Sequence, residues 1–194
     1  MQLDDQSFIE LARTNKDKAF NYLVENYSRM IFNTCIQLLR NQEDAEDLTQ
    51  EVFTTIYLSL DTFEGNSKIS TWMYSIALNK SKEFLRKKTR KKRFGIFTVL
   101  EKEDSHKVPN QTINFEHPGI QLENKERAQI LFEAIDQLAE NQKMAYTLHK
   151  IEGIPYEEVA SIMKTSISSV ESLMFRAKKC LKQLLNDYYE ENEY

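Results

Sequence analysis

Residues 152–181 read EGIPYEEVASIMKTSISSVESLMFRAKKCL. Gly153 and Pro155 stop one helical run and start the next, and YEEVASIM makes a two-turn amphipathic helix. Lys164 and Thr165 form a tight turn. Ser166 can then N-cap a last helix whose apolar stripe is Ile167, Val170, Met174, Ala177, Leu181 and Leu184. A short helix, a tight turn and a longer helix suggest a helix-turn-helix, which lays its second helix in the DNA major groove. The outward positions are Ser168, Ser169, Ser172, Phe175 and Arg176. Hydroxyls suit phosphates or base edges, a phenyl ring suits a thymine methyl, and the helix N-terminus itself favours phosphate. An ordinary αα-hairpin in a helical bundle fits the same periodicity.

Outward from this motif the chain stays helical. It has four Gly and three Pro among 194 residues, against a typical ~12% of the two together, which disfavours a turn-rich β fold. Residues 1–64 contain neither. The spacing predicts a short helix near 4–14, burying Phe8, Ile9 and Leu11. A second covers 17–40, with a stripe of Phe20, Val24, Tyr27, Ile31, Cys35 and Leu38. A third covers 43–60, with Ala45, Leu48, Val52 and Ile56 inward and Leu60 at the edge. After Gly65, Ser70 or Thr71 can cap a fourth helix running to about 88. Residues 94–124 hold Gly95, Pro109, Pro118 and Gly119 without a sustained period, and are too long for a loop inside one domain. They read as a flexible linker, and helical patterning resumes at 121–138, 142–151, 155–163 and 167–187. The fold class is therefore all-α: a domain at 1–93, a linker at 94–124, a helix-turn-helix domain at 125–187 and an acidic tail at 188–194.

Charge separates the parts further. The chain carries a formal charge of −4, yet residues 80–93, KSKEFLRKKTRKKR, hold nine cations and one acid, which leaves the other 180 residues at −12. Such asymmetry points to an anionic partner at one place. On the fourth helix Trp72, Ser75, Asn79, Lys82 and Arg86 share a side, with Met73, Ala77 and Phe84 on another. An aromatic can stack on an unpaired base, an amide can read a base edge, and cations can neutralise phosphates. The plainer alternative is a solvated basic helix end with Trp72 in the core, although nine cations exceed that need. Residues 41–64 hold seven acids and no base. Glu43, Asp44, Asp47 and Glu51 share a face that, with Gln50, suits a basic protein surface or simply solubilises the helix.

Catalysis finds little support. No ExxH motif accompanies the carboxylates. His106, His117 and His149 show no metal-ligand spacing. Cys35 and Cys180, 145 positions apart, fall within apolar stripes and read as core residues. No metal or cofactor is expected. The longest apolar run is short of a membrane span, and the start MQLDDQSF lacks the basic and apolar parts of a signal peptide, so the chain reads as cytoplasmic.

Three stretches in order, DAEDLTQEVF at 44–53, FEGNSKISTWMYSIALNKSKEFLRKK at 63–88 and the opening stretch at 152–181, resemble bacterial RNA polymerase sigma factors of the extracytoplasmic-function (ECF) group. The resemblance covers about residues 5–93 and 125–186. It implies a non-catalytic initiation factor that binds core polymerase, recognises a promoter and helps melt it. It assigns Asp44, Asp47, Gln50 and Glu51 to docking on the clamp helices of the largest polymerase subunit. It assigns Lys68, Ser70, Trp72, Tyr74, Asn79, Lys80, Lys82, Arg86 and Lys87 to the minus-ten element, with one base flipped into a pocket near the loop 63–71. It assigns Thr165, Ser166, Ser168, Ser169, Ser172, Phe175, Arg176 and Lys179 to the minus-thirty-five element, and a second contact of that domain to the polymerase flap tip. The linker acids Glu101, Glu103 and Asp104 suit a path along basic surface toward the active cleft. An anti-sigma factor is expected as a further partner, and no membrane insertion. The chain departs from the family at Lys164, where Gly is common, at Glu171 and Leu173, where a cation is common, and at Ala139-Glu140, which replace a proline pair. A stand-alone helix-turn-helix regulator with an N-terminal sensing domain, and a helical interaction module, are the competing readings. The first would bind its DNA duplex without polymerase, and the second would leave the +8 segment unexplained.

Overall fold

A computed structural model describes residues 3–98 and 122–191, with side chains over 3–90 and 127–186. The chain divides into two units. The first holds α1 (Asp5–Thr14), α2 (Lys16–Leu39), α3 (Gln42–Ser59) and α4 (Ile69–Thr98). The second holds α5 (Leu122–Asp136), α6 (Glu140–Tyr146), α7 (Tyr156–Met163) and α8 (Ile167–Glu191). No strand occurs among the described residues.

In the first unit, polar side chains at the joints set where each helix starts. Asp4 accepts the Ser7 N–H at 2.8 Å, a bond that also holds its carboxyl below the usual value. Asn15 both ends α1, donating its N–H to the Leu11 carbonyl at 2.7 Å, and caps α2 by accepting the Lys18 N–H at 3.0 Å. Arg40 turns the chain in a left-handed conformation, φ 54°, and Asn41 caps α3 through the Asp44 N–H at 2.8 Å. The core joins Phe8 of α1, Leu23, Ile31 and Cys35 of α2, Ala45, Leu48, Val52 and Ile56 of α3, and Met73 and Ala77 of α4. Cys35 is inert there, its thiol pushed up to about 11 by burial.

Several boundaries differ from the sequence reading. The early part of α2 buries Ala19 and Leu23, while Phe20, Val24 and Tyr27 are only half-buried. Alanine lets the neighbouring helix approach, so the inward face lies one position off the bulky stripe. Leu60 is fully buried rather than marginal, because the chain tightens into a 3₁₀ turn at Leu60–Thr62. Ser70 and Thr71 lie inside α4 and do not cap it. The first α-type bond runs from the Trp72 N–H to the Lys68 carbonyl at 3.1 Å, and Asp5 of α1 accepts the Ile69 N–H at 3.3 Å. A carboxylate from another helix thus occupies the positive end of α4. α4 also continues through Gly95 to Thr98. Straight-chain Lys and Arg propagate a helix well, and one Gly costs only ~1 kcal/mol.

The second unit packs Ala134, Ile135 and Leu138 against Ala177 and Leu181 of α8. Ala139, where the proline pair is absent, still takes the extended backbone that proline would impose, φ −59° and ψ 145°. After α6 the chain widens into a π turn at Thr147–Ile151 instead of continuing as α-helix. The Ile154 N–H returns to the Leu148 carbonyl at 3.0 Å, Gly153 supplies the left-handed φ of 72°, and the His149 ring bonds the Ile154 carbonyl at 2.9 Å. α8 runs four residues past the expected end at 187. The linker path assigned to Glu101, Glu103 and Asp104 lies outside the described residues.

Candidate nucleic-acid interface

The loop before α4 is held from beneath. Phe63 is buried and meets Phe8 edge-on at 6.1 Å and Trp72 at 5.4 Å between ring centroids. Gly65 takes φ 77°, and a Cβ there would sit 2.6 Å from Ile9 Cδ1. Above this anchor Glu64, Asn66 and Lys68 are exposed, and Asn66 donates to the Glu64 carboxylate at 3.0 Å. Trp72 is half-buried against the core. Tyr74 is 7% exposed: it shapes the unit from inside and offers no ring for stacking. Ser70 is half-buried.

Along α4 the cations divide between two sides. Asn79 and Arg86 are exposed, and Lys82 is half-buried with them on one side. About 100° around the helix, Lys80 and Lys87 turn toward α3. There α3 and α4 bound a groove of about 410 Å³ lined by Asp44, Glu51, Lys80, Glu83, Phe84, Lys87 and Lys88. Lys88 forms an ion pair with Asp44, its ammonium 5.8 Å from the centre of the Phe84 ring. Two residue sets that the sequence kept apart therefore share one groove. Lys80 and Lys87, read as minus-ten residues, face Asp44 and Glu51, read as docking residues. The side chains of Lys91, Lys92 and Arg93 lie outside the described ones.

The docking set sits on the outer face of α3. Asp47, Gln50 and Glu51 are exposed and Asp44 is half-buried. The sequence reading missed Leu58, which is 73% exposed and falls on the same side as Asp47, Glu51 and Thr54 at steps of three and four. The signal was present: Leu58 is out of phase with the Ala45, Leu48, Val52, Ile56 stripe.

In the helix-turn-helix, Lys164 takes the left-handed conformation, φ 52° and ψ 51°. The Lys164 and Thr165 N–H groups close the end of α7 onto the Ser161 carbonyl at 3.2 Å and the Ala160 carbonyl at 2.9 Å. Ser166 caps α8 as expected, accepting the Ser169 N–H at 3.2 Å, and the two hydroxyls are 2.9 Å apart. Ser169 is thus half-buried and occupied by the cap. Val170, Met174, Ala177 and Leu181 are buried as expected, but Ile167 is 44% exposed. It occupies the first helical position of α8. Thr165, Ser168, Ser172, Phe175, Arg176 and Lys179 are exposed, Phe175 at 70%.

Known proteins match this arrangement. Family models described as Sigma-70 region 2 and Sigma-70, region 4 match residues 23–91 and 128–181, the first spanning α2 to α4 and the second the helix-turn-helix. The ECF RNA polymerase sigma-E factor of Escherichia coli K12 is 32% identical over 180 residues, 93% of either chain. Its Haemophilus influenzae counterpart is 31% identical over 181 residues, 93% of this chain and 95% of that one. Among solved structures, the sigma factor RpoE of Bartonella quintana, in complex with the anti-sigma factor NepR, has a similar fold. Its TM-score is 0.66 at 24% identity, over 87% of this chain and 98% of that one. CnrH, in complex with the cytosolic domain of CnrY, gives a TM-score of 0.66 at 19% identity, over 94% and 97%.

The two matched regions define a sigma-70-type initiation factor, and the chain belongs to the ECF RNA polymerase sigma factors. It is an alternative sigma factor that binds core RNA polymerase and promoter DNA. It is no enzyme, since nucleotidyl transfer belongs to the polymerase. No described helix is long and apolar enough to cross a membrane.

Proposed function

We propose that the three faces divide the work of initiation. The outer face of α3, with Asp47, Gln50 and Glu51 and with Asp44 at its margin, docks on the clamp helices of the largest polymerase subunit. The pinned loop 63–71 and the Asn79, Lys82, Arg86 side of α4 take the opened minus-ten region. The start of α8 reads the minus-thirty-five element, and the same unit touches the flap tip. The first domain extends to the end of α4 at 98 and the second starts with α5 at 122, where the sequence reading has 93 and 125, and the linker between them runs toward the active cleft. The factor works in the cytoplasm beside its polymerase. An anti-sigma factor is its proposed regulator, in keeping with the complexes of the structural relatives.

The observation that carries this reading is the separation of charge around the α3/α4 pair. Asp47 and Gln50 of α3 are exposed outside the groove, and Asn79, Lys82 and Arg86 lie on another side of α4, while Asp44, Glu51, Lys80, Lys87 and Lys88 meet along the groove. The Asp44–Lys88 pair is partly exposed and worth ~0–1 kcal/mol, so either partner is released readily to a stronger one. Asp47→Lys reverses a charge at the centre of the docking face. Its measured affinity for core polymerase is expected to fall by about tenfold or more, which is ~1.4 kcal/mol or more. Its helical circular dichroism stays unchanged. Undiminished core affinity contradicts the docking assignment.

A further inference from the structure

Between Ile167 and Asn186, α8 carries one acid, Glu171, and a carboxylate there is repelled by the phosphates of duplex DNA. It is exposed and makes no hydrogen bond or ion pair with any described residue. Nor does it serve the helix. Ser166 is the cap, and the third helical position, where a capping-box Glu would reach back, is Ser169. Glu171 is the fifth helical residue, beyond the first turn in which an acid benefits from the macrodipole.

It lies within the exposed surface of α8, on the Ile167 side of Phe175. At 100° per residue the exposed arc of α8 runs from Ile167 and Lys178 through Glu171, Phe175, Ser168, Lys179 and Ser172 to Arg176. Glu171 lies one turn from Ser168 on one side and one turn from Phe175 on the other. A side chain there points at base edges when the helix enters the major groove, with the phosphates on either flank.

The major groove offers a carboxylate one good partner. Cytosine presents its N4 amine as a donor with no acceptor on the same base. Adenine sets its N7 acceptor beside the N6 amine, and guanine and thymine present acceptors. We propose that Glu171 is a specificity-determining residue that accepts a hydrogen bond from the N4 amine of one cytosine in the upstream promoter element. Phe175 covers an adjacent apolar base edge, such as a thymine methyl. Four positions apart, their Cα atoms stand ~6 Å from each other along the helix, or about two base steps. The carboxylate rejects guanine, thymine and adenine at its position, so it narrows the promoter set without adding phosphate affinity. This rests on the reading of α8 as the element that enters the major groove.

The test uses the full chain assembled with core polymerase, transcribing a promoter library randomised across the upstream element, with the transcripts sequenced. The unchanged chain is expected to prefer cytosine at one position by about tenfold. Glu171→Ala should erase that preference while leaving the other positions as they were. Glu171→Gln should move it toward adenine, whose N6 and N7 pair with a carboxamide. A base profile that Glu171→Ala leaves unchanged, or alters equally at every position, overturns the assignment. A flat profile for the unchanged chain overturns the major-groove reading of α8 and this inference with it.

Discussion

Lys164 holds the helix-turn-helix turn in a left-handed backbone, a conformation that costs a residue with a Cβ ~1–2 kcal/mol. The two N–H bonds that close α7 require it, and the side chain is exposed. Lys164→Gly removes the strain but gives the unfolded chain more freedom, which returns ~0.4–1 kcal/mol. The net expectation is a gain of roughly 0.5 kcal/mol in unfolding free energy. It would be read as a higher denaturant midpoint for the C-terminal unit with an unchanged slope, and a lower midpoint would show that the lysine has a compensating role. At this scale the sequence was readable wherever a polar side chain closes a local ring, as at Ser166. It was unreadable where the partner is distant. Asp5 reaches the start of α4 across 64 positions, so Ser70 and Thr71 looked like caps when neither is one.

α3 shows what one helix can carry on two sides. Its inner stripe of Ala45, Leu48, Val52 and Ile56 is fully buried, as the period of 3.6 requires. Its outer side runs from carboxylates near the start to Leu58 near the end. Charges speed and orient an encounter, whereas buried apolar anchors supply most of the affinity. Leu58→Ala is therefore expected to leave the unfolding free energy within ~0.5 kcal/mol. It should weaken core polymerase binding by about tenfold, the value of burying one leucine at an interface. Equal affinity of the two proteins would confine the docking face to the acids. Other elements escaped the sequence for physical reasons. The π turn after α6 arises from how the chain closes onto Leu148, which no local pattern reports. α4 outruns its expected end near 88 because a single Gly95 does not stop a helix that Lys and Arg have already propagated.

For the whole molecule, the all-α class, the two units and the motifs were legible because Gly and Pro are so scarce and the apolar periods so regular. The sharing of a groove by Lys80, Lys87, Asp44 and Glu51 was not, since it depends on how α3 packs beside α4. That packing changes the meaning of the net charge of −4. Part of the basic helix is screened by the acidic one, and on the proposed division of faces promoter binding is expected to be weak until polymerase is bound. The central claim is that docking and melting occupy different faces of one small helical unit. The most direct measurement compares Lys82→Ala/Arg86→Ala with the unchanged chain in two assays, affinity for core polymerase and promoter opening by the assembled holoenzyme. Core affinity is expected to stay within about twofold, opening to fall by about tenfold or more, and the log-log salt slope to drop by about one for each lost phosphate contact. A parallel loss of core affinity, or opening that proceeds undiminished, would contradict that claim.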